Sequence, residues 1–165
     1  MSENDMSTTF QALLQLASNV HDLMREHVEV NSRLLELYER PWFLRSLNYQ
    51  DIVAQELRVS AELLGASKEV CTLKLQLACY DTCSKAEELQ FADCLDALIV
   101  ELRRAADLLV RILDDLNSHS VPQGWFTQLH VQDYLAATDK YTTAGAKLAA
   151  FLQALLAADV RKHVA

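Results

Sequence analysis

Residues 91–116 read FADCLDALIVELRRAADLLVRILDDL, and Phe91, Leu95, Leu98, Leu102, Ala105, Leu109, Ile112 and Leu116 recur along them at alternating steps of four and three. That spacing is the heptad rule of a helix wound against other helices. Three more rows of the same kind flank it. Upstream run Leu13, Leu16, Val20, Leu23, His27, Val30, Leu34 and Leu37, then Ile52, Glu56, Val59, Leu63, Ala66, Val70, Leu73, Leu77 and Tyr80. Downstream run Tyr134, Ala137, Tyr141, Ala144, Leu148, Phe151, Leu155 and Ala158. Four rows predict four helices.

The breaks between them follow from local chemistry. Pro41-Trp42-Phe43-Leu44 and Pro122-Gln123-Gly124-Trp125-Phe126 hold both prolines and both tryptophans of the chain. Proline lacks an N–H and clashes with the preceding helical turn, so a helix stops at each stretch. No Gly or Pro lies between Ala66 and Val121. A single helix over that span would measure roughly 80 Å at 1.5 Å per residue, too long for one domain of this size. Ser84-Lys85-Ala86-Glu87 has the capping-box form, and the turn is expected between Asp81 and Gln90. Gly65 falls inside the second row without disturbing its phase, at a cost of about 1 kcal/mol relative to alanine.

The expectation is an all-α, antiparallel up-down-up-down four-helix bundle. Its helices lie at about 8–40, 49–82, 85–118 and 131–163, after a flexible tail over 1–7 that ends at an N-cap among Ser7, Thr8 and Thr9. Glu29 with Arg33, Glu36 with Arg40 and Asp107 with Arg111 are spaced to pair along outer faces. Up-down-up-down order puts the first and third connections, and hence both Trp-Phe pairs, at one end. The two aromatic stretches are each followed by Gln-Asp (Gln50-Asp51 and Gln132-Asp133), a hint of a duplicated hairpin, although the helices align poorly.

Composition agrees. The 165 residues are 51% hydrophobic and 23% charged, with 3 Gly and 2 Pro, which suits a globular helical domain and excludes a disordered one. A net charge of −8 argues against nucleic-acid binding, because Arg103-Arg104 and Arg161-Lys162-His163 are the sole basic groupings. No stretch is long and apolar enough to span a membrane, and the lack of Lys-rich polar faces counts against lipid-surface binding. Met1 to Thr9 is polar and acidic rather than a secretory leader, so a cytoplasmic setting with reduced thiols is expected.

Chemistry-bearing residues are few. His27 is the one strongly polar residue of the first row, and a hydrogen-bonded core histidine is its simplest role. None of the five histidines has Glu or Asp three residues before it, which excludes the di-iron bundle pattern. Cys71, Cys79, Cys83 and Cys94 could hold Cu(I) or zinc, yet their spacing is far from paired Cys-x-x-Cys knuckles, and cysteine is often a small buried hydrophobe. No nucleophile elbow or phosphate-cradling loop occurs. Asp114-Asp115 and Glu87-Glu88 suit solvated faces.

The expected function is a non-enzymatic interaction module without a cofactor: an adaptor, assembly subunit or dedicated chaperone. The alternative is a bundle that holds a metal or small ligand through core Cys and His. Trp42, Phe43, Leu44, Trp125 and Phe126 would either plug the end of the core or dock a protein partner, since Trp is enriched among interface anchors. Ala136, Ala144, Ala146, Ala149, Ala150, Ala154 and Ala157 make the fourth helix a second candidate surface, for a partner or for self-association.

Overall fold

The heptad rows become four helices in a computed structural model that describes residues 3–39, 49–79, 85–117 and 126–164. These are α1 (Glu3–Glu39), α2 (Tyr49–Ala78), α3 (Lys85–Asn117) and α4 (Phe126–Val164). α1 begins at Glu3, inside the stretch expected to fray. α4 starts at Phe126 rather than near 131, because nothing after Gly124 interrupts a helix. Trp42, Phe43, Leu44, Trp125, Cys83 and Ser84, the expected cap, lie outside the described residues.

Packing runs in chain order, α1 on α2, α2 on α3 and α3 on α4, in an all-α four-helix bundle whose successive helices are antiparallel. Cross-helix contacts give the directions. Arg33 donates to Gln55 at 2.7 Å while Glu26 pairs with Arg58. Ser60 donates to Asp107 at 2.6 Å while Lys74 sits 2.7 Å from Asp93. Phe91 packs against Phe151 while Leu98 lies beside Gly145. In each case one number rises as its partner's falls.

Two ion pairs expected along single helices give way to contacts between helices. Arg33 reaches Gln55 on α2 instead of Glu29, and Asp107 accepts from Ser60 on α2, with Arg103 rather than Arg111 as its charged neighbour at 4.0 Å. Gln55 and Ser60 are neutral partners, part-buried on the next helix, whereas Glu29 and Arg111 are exposed, where an ion pair adds little.

The core follows the rows. Every member from Leu13 to Val30, from Ile52 to Leu77 and from Phe91 to Ile112 is buried. α3 adds a second buried row, Ala92, Ile99, Ala106 and Leu113, because it touches all three other helices and approaches α1 across the bundle. α1 meets α4 where Met24 lies beside Gly145, and the two are also linked through α3. Phe10 stands edge-on to Phe91 at 5.8 Å, and Phe91 in turn meets Phe151 at 6.3 Å. α4 leaves the core near its end, and Ala158 is exposed.

Gly65 sits mid-α2 with no positive φ, and a Cβ there would meet nothing within 4 Å. Gly65→Ala should therefore raise the unfolding free energy by about 1 kcal/mol, the helix-propensity difference. Urea unfolding monitored by circular dichroism measures it, and a destabilised variant would contradict the open surroundings of this position.

Candidate functional site

Two polar residues interrupt the apolar rows, and they meet. His27 of α1 and Glu56 of α2 are both fully buried, with Nδ1 2.5 Å from Oε1. On the other side of the ring, Nε2 lies 3.2 Å from the Tyr134 hydroxyl of α4. Tyr134 and Tyr141, one heptad apart on α4, also present edges to the imidazole at 5.9 and 5.6 Å. Three helices thus place one hydrogen-bonded chain, Glu56–His27–Tyr134, across the core.

Position in the rows explains the meeting. His27 and Glu56 each occupy a seam position of its own helix, and antiparallel packing brings the two seams level. Burial pushes the Glu56 carboxyl above the ordinary carboxylate range, and the hydrogen bond and charge of His27 oppose that push. A proton lying between Oε1 and Nδ1 satisfies both atoms. Glu56 Oε2 has no hydrogen-bond partner among the described residues. Burial also drives the Tyr134 and Tyr141 phenols upward, so both stay protonated as hydrogen-bonding groups.

His27 and Glu56 are sealed from solvent, and Tyr134 and Tyr141 keep only 7% and 6% exposure. A buried pair of this kind penalises any register in which either group loses its partner. The sequence marks His27 as a hydrogen-bonded core residue, and so it is. Glu56 stands in the second row as plainly as His27 does in the first, but its pairing needs the relative height of two helices, which periodicity alone leaves open.

The cysteines are dispersed along the helices. Cys71 is exposed on α2 and Cys79 in the turn just after it, and Cys94 is half-buried on α3 at an open groove against α4, beside Asp93, Glu101, Lys140 and Lys147. Among the described residues no three His, Cys, Asp or Glu side chains gather to hold a metal ion, and no helix is long and apolar enough to cross a membrane. Of the aromatic candidates, Phe126 opens α4, and the rest fall outside the described residues. The alanines of α4 are largely on the surface, with Ala146, Ala149, Ala150, Ala154 and Ala157 exposed.

A surface feature escaped the seam pattern. Leu57, Leu64 and Leu75 on α2 are 51%, 38% and 70% exposed. They belong to a second heptad row, Ala54, Leu57, Ala61, Leu64, Lys68, Cys71, Leu75 and Ala78, every member of which is exposed. α2 is therefore apolar on two opposite faces, one in the core and one outside. α4 shows the same habit less regularly, with Val131, Leu135 and Leu156 exposed beyond its core row.

No family model matches the chain, and no solved structure gives a significant match. The fold and the sealed polar layer define a small all-helical bundle, and its surface carries the remaining functional information.

Two outcomes test the polar layer. His27→Leu leaves Glu56 buried without its partner and should cost about 3–5 kcal/mol in urea unfolding, whereas His27→Leu/Glu56→Leu together should recover most of that loss. The pH dependence carries a sign. Folded Glu56 holds its proton more tightly than unfolded Glu56, so its stabilising contribution is complete below the unfolded carboxyl pKa and is lost as pH rises through the raised folded value. Wild type should therefore lose stability relative to Glu56→Gln as pH climbs from about 4 toward 7. A constant gap between the two proteins across that range would refute the buried-carboxyl account.

Proposed function

We propose that this protein is a non-enzymatic helical scaffold that docks protein partners on apolar surface its own core does not use. The observation that carries this is the two-faced α2, whose outward row repeats the spacing of its buried one. A helix that serves only its own bundle has one apolar stripe and a polar opposite face. Exposed apolar residues in contiguous rows mark contact sites, whereas scattered single ones do not.

Three surfaces are candidates: the outward row of α2, the alanine-rich face of α4, and the end expected to carry Trp42, Phe43, Leu44, Trp125 and Phe126. The buried His27–Glu56–Tyr134 layer supports the same view, since the most concentrated polar chemistry of the core lies beneath the surface.

Affinity capture from native extract with the full chain tests the proposal. Three variants serve as probes: Leu57→Glu/Leu64→Glu on α2, Ala149→Glu/Leu156→Glu on α4, and Trp42→Ala/Trp125→Ala. One of them should lose a stoichiometric partner while its helix signal and melting temperature match wild type. Identical captured proteins across all four samples would end the scaffold assignment.

A further inference from the structure

We infer that the outward row of α2 is the contact surface for a second copy of this chain, paired antiparallel about a two-fold axis level with Ala66. This rests on the scaffold reading and names the occupant of one of its surfaces.

Self-complementarity is the first ground. A two-fold contact requires that if one residue meets another, the second meets the first in return. With two α2 helices antiparallel about the level of Ala66, Ala54 faces Ala78 of the second copy, Leu57 faces Leu75, Ala61 faces Cys71 and Leu64 faces Lys68. All eight row positions are used. Large residues meet large ones at the Leu57–Leu75 layers, and small ones meet small ones at the Ala54–Ala78 and Ala61–Cys71 layers.

Charge is the second ground. Lys68 is the one charged member of the row, and neither it nor Glu69 has an ion-pair partner among the described residues. Beside the row, a shallow groove between α1 and α2 is lined by Asp22, Glu26, Glu62, Gly65 and Glu69. In the paired arrangement Lys68 of the second copy lies against Leu64, next to Gly65. Space over Gly65 is empty to 4 Å, so the lysine stem can cross it and place its ammonium at the carboxylate of Glu69, beside the Arg58–Glu62 pair. The symmetry repeats this twice. Nothing within the single chain calls for a glycine at 65, and a crossing side chain does.

The net charge of α2 fits the same partner. Asp51, Glu62 and Glu69 balance Arg58, Lys68 and Lys74, with Glu56 sealed in the core, so its accessible charge is zero in a chain of −8. Two acidic copies can approach along this face without stacking like charge. The row is roughly 36 Å long at 1.5 Å per residue. A helix pair of that length covers on the order of 400 Å² on each copy, which suits a reversible dimer rather than a permanent one.

Sedimentation equilibrium of the full chain, from micromolar to millimolar concentration, tests this. Wild type should show a monomer–dimer equilibrium. Leu64→Glu should raise the dissociation constant by about tenfold or more, and Gly65→Ala should weaken the dimer while stabilising the fold. Register is read separately by cross-linking. With Cys79, Cys83 and Cys94 replaced by serine, Ala61→Cys should yield a covalent dimer through Cys71 under diamide, which accepts the two electrons and two protons released by the thiols. Gln76→Cys, off the row, should not.

A wild type that stays monomeric throughout overturns the inference. So does a dimer indifferent to Leu64→Glu, or one that cross-links equally from position 76. In each of those cases a stoichiometric partner lost from the Leu57→Glu/Leu64→Glu capture would still support the scaffold reading, with a different occupant on α2.

Discussion

A carboxyl and an imidazole in contact at 2.5 Å beneath the surface tie the height of α1 to that of α2. The rows on either side of them are leucines, valines and alanines that would pack nearly as well one heptad away. Slide α2 by seven residues, and Glu56 faces Val20 or Leu34 while His27 comes level with Tyr49 or Leu63. Each group would then be desolvated without its partner, at several kcal/mol. The pair is thus a selection rule: its net contribution to stability can be small while its contribution to choosing one register is large. Tyr134 extends the rule to α4, because its hydroxyl has the free face of the imidazole as its partner.

With heights set, the division of labour among helices follows. α3 is the hub, buried on two adjacent rows and touching every other helix. Its small residues Ala92, Ala105 and Ala106 let neighbours come close. The α1–α4 side is bridged by long side chains: the Phe10–Phe91–Phe151 stack toward the start of α3, Met24 beside Gly145, and the tyrosines around His27. Aromatic rings fill a wide gap at little conformational cost, since each has only two side-chain torsions to order.

Much of this was legible before any coordinates. Heptad counting placed Leu13 to Val30, Ile52 to Leu77 and Phe91 to Ile112 in the core, and His27 among hydrogen-bonded core residues, because a 3.5-residue repeat has one geometric meaning when sustained over several turns. Partnerships between rows were less legible. Glu56 was visible as a seam residue, but its meeting with His27 depends on the heights of two helices joined by a connection whose length the spacing does not determine. Arg33 and Asp107 show the same limit, each turning from a neighbour on its own helix to one on the next. The outward row of α2 was hidden for another reason: reading one seam per helix assigns the remaining residues to solvent, so a second seam passes as ordinary surface leucines.

That second seam is where charge and packing converge. Within their helical spans α1 and α3 carry acidic excess, Glu3, Asp5, Asp22, Glu26, Glu29, Glu36 and Glu39 against Arg25 and Arg33 in the first case. The accessible charge of α2 cancels. Contact between two α1 faces or two α3 faces opposes like charge, whereas contact along α2 does not. Apolar surface supplies attraction of no particular direction; the acidic excess of α1 and α3 opposes like-on-like approach over those two helices, whereas α4, with Asp133, Asp139 and Asp159 against Lys140, Lys147, Arg161 and Lys162, carries no such excess. The polar layer inside penalises wrong registers of the bundle, and the charge outside disfavours contacts between the acidic faces of α1 and α3.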